Sequence, residues 1–298
     1  MRRIFMTLAA FLCCTMAIHA QLLYRISGNR LTEPSYILGT CHTADVSFVD
    51  SIPGLRKTMK ATKQVYGETD MNAKSEPTTE ELDKFILLPK GMTLDSLLSA
   101  DDIKRLTAFM IDSCKIDSAN VGFFFDVKPF PLALYLALKC DGFKETLKSN
   151  DGVMFDEYFQ KEALRQGKEI GGLETKNSQF KLFCNSFSLK RQKELLMCMV
   201  DNHKRPGAEG SGVETYYSQN LDAIWKEFND NTGVDCSYTS EEQMRLLSTR
   251  NLAWMKNIPT LMSRKPTLFV VGALHLPGPN GVLDLLRKAG YTVEAVKE

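Results

Sequence analysis

The stretch YILGTCHTADVSF, residues 36–48, joins an apolar run to a polar turn and provides the first indication of the fold. The run ends at Gly39, and His42 follows three residues later. A short apolar run bounded by turn residues predicts a buried strand, and glycine lets the chain turn sharply and leaves room for a ligand near the backbone. His42 is therefore a candidate ligand at a strand end, and the alternative is a polar residue in a surface turn.

The same arrangement returns near the C-terminus in TLFVVGALHLPG, residues 267–278. Here Gly272 ends the apolar run, and His275 again follows three residues later. Ligands of open α/β sheets collect at the C-terminal edge of the strands. We therefore predict that His42 and His275 meet at this edge and share one divalent ion. The alternative is two unrelated turn histidines.

Two carboxylates follow short strands that contain glycine: Glu68 in VYGETD and Glu174 in GLET. Histidine with carboxylate suits Zn²⁺, Mn²⁺, Co²⁺ or Fe²⁺. Such an ion lowers the pKa of its bound water to about 7 and polarises a carbonyl, so hydrolysis is the chemistry that this donor set predicts. The alternative for each glutamate is a solvated surface position.

Arg250, in LLSTRNLAW, lies on a predicted helix with an apolar face. A helical arginine usually lies at the surface. A buried one would need an acidic partner, and Glu68 or Glu174 could supply it. A thiol dyad of Cys41 with His42 is disfavoured, because neighbouring residues on extended backbone point in opposite directions. His203 stands among charged residues in a predicted loop, where we expect it to be solvated.

The composition is that of a globular protein, with 44% hydrophobic and 24% charged residues among 298. The formal net charge of +1 argues against a nucleic-acid partner, which needs an excess of Lys and Arg. Residues 1–20 have the layout of a secretory signal: Arg2 and Arg3, an apolar run, and small Ala20 at the end. We predict one domain over residues 21–298, exported to a periplasm or secreted. An uncleaved anchor, or a lipid on Cys13 or Cys14, is the alternative.

The remaining cysteines are widely and irregularly spaced, which resembles neither a disulfide scaffold nor a zinc site. We interpret them mostly as buried small residues, with one bridge possible: Cys41, Cys114, Cys140, Cys184, Cys198 and Cys236. No other segment is apolar and long enough to span a membrane. Nothing in the sequence indicates a particular oligomeric state.

The pattern of apolar runs predicts an α/β fold with a mixed, largely parallel sheet, flanking helices and a large helical insertion in the middle of the chain. We predict strands at 21–27, 35–40, 65–71, 169–175, 266–272 and 291–296, the first two forming a hairpin. Helices are predicted at 51–64, 99–113, 128–139, 154–168, 188–203, 213–229, 240–257 and 280–290. The helix at 128–139 is expected to be buried. Capping boxes are expected at Ser99 with Asp102 and at Ser240 with Gln243.

In matching order, the segments ILGTCHTAD, GETD, FDEYFQKEALRQGKEIGGLETKNSQ, STRNLAWM and VVGALHLPGPNGVLDLLRKAGYTVEAV resemble the TraB/GumN family, which is related to the Tiki metalloproteases. The resemblance implies a fold shared with erythromycin-esterase-like and ChaN-like proteins. It also implies divalent-metal-dependent peptide cleavage that favours Mn²⁺ or Co²⁺. The implied site residues are His42, His275, Glu68, Glu174 and, at the basic position, Arg250. Which glutamate binds metal and which acts as base is left open.

Our hypothesis at this point is an exported metal-dependent hydrolase that acts on a peptide or another small substrate. The two histidines would hold the ion with one glutamate, the other glutamate would move a proton, and Arg250 would orient water or stabilise developing negative charge. Two alternatives remain open. One is a non-catalytic protein that binds haem, iron or another metal, and the other is a degenerate scaffold that binds a partner.

Overall fold

A hairpin of two antiparallel strands, β1 (Leu23–Gly28) and β2 (Ser35–Thr40), begins the ordered sheet. The turn between them has three consecutive residues with positive φ, from Gly28 to Arg30, and such backbone favours glycine and asparagine. The computed structural model describes residues 21–73, 78–139, 148–203, 211–229 and 237–297. The predicted signal segment, residues 1–20, lies outside these ranges.

Four further strands complete a six-stranded sheet: β3 (Gln64–Thr69), β4 (Glu169–Glu174), β5 (Thr267–Gly272) and β6 (Tyr291–Ala295). The strand order is β4-β3-β5-β2-β1-β6. The first four strands of this order run parallel, whereas β1 pairs antiparallel with both β2 and β6. The predicted mixed, largely parallel sheet is therefore confirmed, and β3 and β2 both lie against β5.

The central strands β2 and β5 are buried along nearly their whole length, which explains why their sequences are continuous apolar runs. The main core packs around them, with Leu38, Phe269 and Val271 fully buried. A second core lies within the helical middle of the chain, around Phe109, Leu132 and Leu196. The large helical insertion thus has apolar packing of its own.

The helices of the described ranges surround the sheet and fill the two long connections before and after β4. They are α1 (Leu55–Ala61), α2 (Thr79–Ile86), α3 (Leu94–Leu97), α4 (Ala100–Asp112), α5 (Pro129–Lys139), α6 (Phe155–Arg165), α7 (Lys176–Asn185), α8 (Leu189–Asn202), α9 (Ser211–Tyr217), α10 (Leu221–Asn229), α11 (Ser240–Gln243), α12 (Thr249–Trp254), α13 (Ile258–Arg264) and α14 (Val282–Lys288). A π-helical turn, Met244–Ser248, joins α11 to α12.

Three local predictions for the helices are wrong in detail. The single helix expected at 213–229 is broken into α9 and α10 at Gln219, which has a φ of 58°. The capping box of α11 is formed by Thr239 and Glu242, one residue earlier than expected, whereas that of Ser99 and Asp102 is confirmed. Helix α5 is buried on one face only, and Leu134, Tyr135 and Leu138 are exposed.

Most cysteines of the described residues fit the prediction of small buried side chains. Cys114 and Cys184 are buried and Cys41 is partly buried. Cys198 is disulfide-bonded, in agreement with the one bridge considered possible. Cys140 and Cys236 lie outside the described residues. Across the ranges described above, no helix combines the length and apolar character needed to cross a bilayer.

Candidate active site

The carboxyl ends of four neighbouring strands deliver the predicted residues to one edge of the sheet. Glu68 lies near the end of β3, and Glu174 is the last residue of β4. His42 follows β2 by two residues, and His275 ends a 3₁₀ turn after β5, Ala273–His275. Because these strands are parallel, all four residues reach the same edge, where ligands of α/β sheets bind.

Arg250 joins the two glutamates from above the strand ends. Its Nη2 donates to Glu68 Oε2 and to Glu174 Oε1, each at 2.5 Å, and its Nε donates to the same Glu174 oxygen at 3.1 Å. All three side chains are largely buried. Arg250 is therefore buried rather than at the surface, and both glutamates that the sequence offered as acidic partners pair with it.

His275 is the third group on the same guanidinium. Arg250 Nη1 donates to His275 Nε2 at 2.7 Å and to the Leu246 carbonyl at 3.3 Å. On the other side of the ring, His275 Nδ1 lies 2.7 Å from Asn251 Oδ1. An arginine can only donate, so Nε2 is the accepting nitrogen, and we assign the proton to Nδ1.

Gln179, near the start of α7, ties the two glutamates to each other. Its Nε2 lies 3.0 Å from Glu68 Oε2 and 3.2 Å from Glu174 Oε1, so one amide donates to both carboxylates. Glu68 Oε1 accepts in addition from the Gly272 backbone N–H at 2.8 Å. A Cβ at residue 272 would lie 3.2 Å from that oxygen. The glycine before His275 therefore leaves room for the glutamate to approach the backbone.

The charges of the cluster follow from these contacts. Burial by itself raises the pKa of Glu68, but its electrostatic interactions with the side chains of His275, Arg250 and His42, and the hydrogen bond from the Gly272 N–H, bring the pKa below its usual value. Burial lowers the pKa of His275, with Arg250 adding to the shift and Glu68 opposing it. At neutral pH the cluster thus contains an ionised Glu68, a charged Arg250 and a neutral His275.

Two aromatic rings cover the cluster on its apolar side. The Trp254 ring lies 4.4 Å from the His275 ring, and the Arg250 guanidinium lies 4.9 Å from the Trp254 ring and 5.7 Å from the Phe183 ring. Contacts of this kind help to hold the guanidinium and the imidazole in one orientation.

His42 lies beside the four-residue cluster of Glu68, Glu174, Arg250 and His275. Its Nδ1 lies 2.8 Å from Asp156 Oδ1 on α6, and 58% of its side chain is exposed. A carboxylate accepts, so His42 Nδ1 donates this hydrogen bond, and a metal would need the other nitrogen, Nε2, without its proton. Desolvation alone would lower the pKa of His42, but Asp156, and to a smaller degree Glu68, raise it to about 9.

Asn150 holds the loop that carries His42. Its side chain accepts from the Val46 N–H at 2.8 Å and donates to the Ala44 carbonyl at 3.1 Å. The loop also meets the start of α6, where the Phe155 N–H points to the His42 carbonyl at 3.5 Å. These contacts explain how Asp156, 114 residues along the chain, comes to face His42.

The side chains present match a divalent metal in type, with two imidazoles and two carboxylates. Each histidine has its Nδ1 held by a second residue, Asp156 or Asn251, an arrangement typical of metal-ligating histidines. Yet within the ranges described, no three His, Cys, Asp or Glu side chains are already grouped to hold an ion. The types of side chain therefore fit a divalent metal. Three of these four side chains, Glu68, Glu174 and His275, are hydrogen-bonded to Arg250.

Two other residues singled out in the sequence do not join the site. Cys41 Sγ lies 3.3 Å from Thr43 Oγ1, while His42 bonds Asp156, so the pair forms no dyad. His203 is not solvated as expected. It is the C-cap residue of α8, and its ring packs edge-on against Phe109, with ring centroids 4.5 Å apart.

Asp156, Gln179 and Asn251 are site residues that the sequence prediction missed. Gln179 follows Glu174 by five residues, so its place on the first turn of a helix after a strand end was the available signal. Asp156 carries no such signal, because only the packing of α6 brings it to His42.

Comparison with known proteins identifies the family of the chain. The model of the TraB/PrgY/gumN family matches residues 22–295. "Metalloprotease TIKI2" of Danio rerio is 24% identical, with 91% of this chain and 60% of that protein covered. "Metalloprotease TIKI homolog" of Nematostella vectensis is 25% identical, with 89% and 65% covered, and the homolog of Amphimedon queenslandica is 21% identical, with 94% and 62% covered. The chain thus spans less than two thirds of the length of these relatives. No solved structure shows a significant match.

Proposed function

The chain belongs to the TraB/PrgY/gumN family, and from that premise we propose that it is an exported, divalent-metal-dependent hydrolase that cleaves peptides. Relatives named metalloproteases support the reaction class. The observation that carries the proposal is the meeting of His275, Glu68, Glu174 and Arg250 at the strand edge, with His42 beside them.

We assign His42, His275 and Glu68 as the residues that hold the ion. Glu68 Oε1 lies 3.7 Å from His275 Nε2, and the charge of Glu68 also acts on His42. Glu68 is therefore the carboxylate that lies closer to both rings. Mn²⁺ or Co²⁺ is the ion we propose first, with Zn²⁺ or Fe²⁺ as alternatives that the same donors accept. When bound, the ion would polarise the scissile carbonyl and acidify a water.

Glu174 is then left to move a proton. Its Oε1 accepts from two N–H groups of Arg250 and from the Gln179 amide, and these hydrogen bonds fix its direction. A carboxylate positioned in this way is suited to take the proton of an attacking water and return it to the leaving amine. Arg250, with its fixed positive charge, would orient this carboxylate and stabilise negative charge that develops on the substrate.

Cleavage of a peptide pool by the purified exported protein, loaded with Mn²⁺ or Co²⁺, tests this proposal. We expect cleavage that EDTA abolishes and that the substitutions His42→Ala and His275→Ala each reduce to background. His203→Ala is the matched control, because this histidine packs against Phe109 and is not a member of the site. Full activity of the His42/His275 double variant would refute the proposal. A Soret band on haem titration without any cleavage would favour the binding protein instead.

Export is a separate part of the proposal. It is supported by the arrangement of residues 1–20 and by the disulfide at Cys198, since disulfides persist in oxidising compartments. N-terminal sequencing of the protein recovered from the cell envelope or the medium is expected to begin at Gln21. A chain that retains Met1 and stays in the cytosol would contradict export and leave the hydrolase proposal standing.

A further inference from the structure

The orientation of the Asn251 amide determines which nitrogen of His275 is available to a ligand. Asn251 Nδ2 donates to the carbonyls of His275 at 3.2 Å and Asn280 at 2.9 Å. Two carbonyl acceptors fix the amide nitrogen on that side, so Oδ1 must face the ring and accept from Nδ1–H. His275 therefore has one lone pair to offer, on Nε2.

That lone pair already accepts a hydrogen bond from Arg250. Arg250 Nη1 lies 2.7 Å from His275 Nε2, and the ring is buried, with Trp254 packed against its face. No ion can bind Nε2 while this hydrogen bond is made, because both would need the same electron pair.

The guanidinium of Arg250 is also saturated. Its five N–H donors are matched by five acceptor contacts: Glu174 from Nε, Leu246 O and His275 from Nη1, and Glu68 and Glu174 from Nη2. One planar cation thus hydrogen-bonds both carboxylates and the imidazole. These are the groups that the proposed function assigns to the metal and to the base.

We propose that Arg250 occupies the place of the cation, and that a divalent metal binds by displacing Arg250 Nη1 from His275. This inference rests on the proposed function, in which His275 is a ligand. Arg250 and the metal then compete for one lone pair, so the metal affinity of the wild-type protein is lowered by the work of breaking this contact. The Nε contact with Glu174 does not involve His275 and can persist after the exchange.

Mn²⁺ binding, measured by isothermal titration on EDTA-stripped protein, tests the competition. Arg250→Ala is expected to tighten the dissociation constant about tenfold, equivalent to about 1.4 kcal/mol. Arg250→Gln, which is neutral and closer in shape, is expected to tighten it in the same direction and serves if the alanine variant does not fold. Arg245→Ala is the matched control, because Arg245 bonds the Ser186 carbonyl and Glu241 outside the site. Its affinity should equal that of the wild type.

A double-variant cycle separates competition for His275 from a general effect of removing positive charge. In a His275→Ala background, Arg250→Ala should give little or no gain in affinity, because the contested lone pair is gone. An equal gain in both backgrounds would overturn the inference, as would unchanged or weaker binding in both Arg250 variants of a protein that binds Mn²⁺ and cleaves peptides. If no variant, nor the wild type, binds Mn²⁺, Co²⁺ or Zn²⁺, the proposed function fails as well.

Discussion

Asn251 is the residue on which the orientation of His275 depends. It is almost completely buried, and it makes three hydrogen bonds, one to the His275 ring and two to backbone carbonyls. A buried donor or acceptor that loses its partner costs about 1 to 3 kcal/mol. The side chain of Asn251 therefore stabilises the fold and holds the histidine in the tautomer whose Nε2 carries no proton.

Replacing Asn251 by alanine is expected to lower the free energy of unfolding by about 3 kcal/mol, since the Nδ1–H of His275 and two carbonyls lose their partner. Urea denaturation measures the loss. Asn257→Ala is the control, because Asn257 is exposed and its side chain makes no capping hydrogen bond, so a change below about 0.5 kcal/mol is expected. A loss of less than about 1 kcal/mol in Asn251→Ala would show that these contacts contribute little.

Gly272 permits the approach of Glu68 to the backbone. In Gly272→Ala the new Cβ would lie 3.2 Å from Glu68 Oε1 and 3.6 Å from His275 Cδ2, so the carboxylate has to move by a few tenths of an ångström. We expect kcat/KM to fall about tenfold, because small displacements of site groups are costly. Gly122→Ala is the control, since a Cβ there meets nothing within 4 Å. Equal activity of both variants would indicate that the position of Glu68 is not critical.

At the scale of elements, the helical segment that carries Arg250 is fixed at its start by an ion pair. Glu242 caps α11 by accepting a hydrogen bond from the Thr239 N–H at 2.8 Å. Its carboxylate also accepts two hydrogen bonds from the Arg191 guanidinium of α8, at 2.9 and 3.1 Å. The π turn follows directly, and the Leu246 carbonyl within it accepts from Arg250. The cap, the turn and the site arginine therefore form one continuous segment, in keeping with the tendency of π turns to occur at functional sites.

The Glu242–Arg191 pair should make stability depend on pH. Burial would raise the pKa of Glu242, but the hydrogen bonds from Arg191 and Thr239 lower it below the usual 4.5. A lowered folded-state pKa means that the stabilisation is present above the unfolded-state pKa and is lost as the pH falls through the folded-state value. Glu242→Gln should therefore cost about 2 kcal/mol at about pH 7 and much less in acid.

Urea unfolding of wild type and Glu242→Gln over this pH range measures that difference. Glu241→Gln is the matched control, because Glu241 lies on the same turn but is 79% exposed, and its pair with Arg245 should contribute little. A difference in the free energy of unfolding between wild type and Glu242→Gln that stays constant from neutral to acid pH would contradict the account.

At the scale of the whole molecule, the sheet was predictable because its central strands are buried on both faces. Such strands appear in the sequence as continuous apolar runs, as in Thr267–Gly272, and glycines mark their ends. Parallel strands bring their carboxyl ends to one edge, so the proximity of Glu68, Glu174 and His275 follows once the strands are assigned.

The helical contribution to the site was not predictable in the same way. Asp156 and Gln179 are common polar residues on helices, and only the packing of α6 and α7 against the sheet brings them to His42 and the glutamates. The exposed face of α5 was missed for a related reason, since a uniformly apolar helix does not show which side the protein covers. Long-range packing, rather than local pattern, determines these features.

The central claim is that residues encoded at opposite ends of the chain, His42 and His275, bind the same ion. X-ray absorption spectroscopy of the Co²⁺-loaded protein tests it most directly, because imidazole ligands can be counted from their outer-shell scattering. We predict two imidazoles per ion in the wild type and one in each of His42→Ala and His275→Ala. A wild-type spectrum with one imidazole or none, or an unchanged count in either variant, would contradict the account.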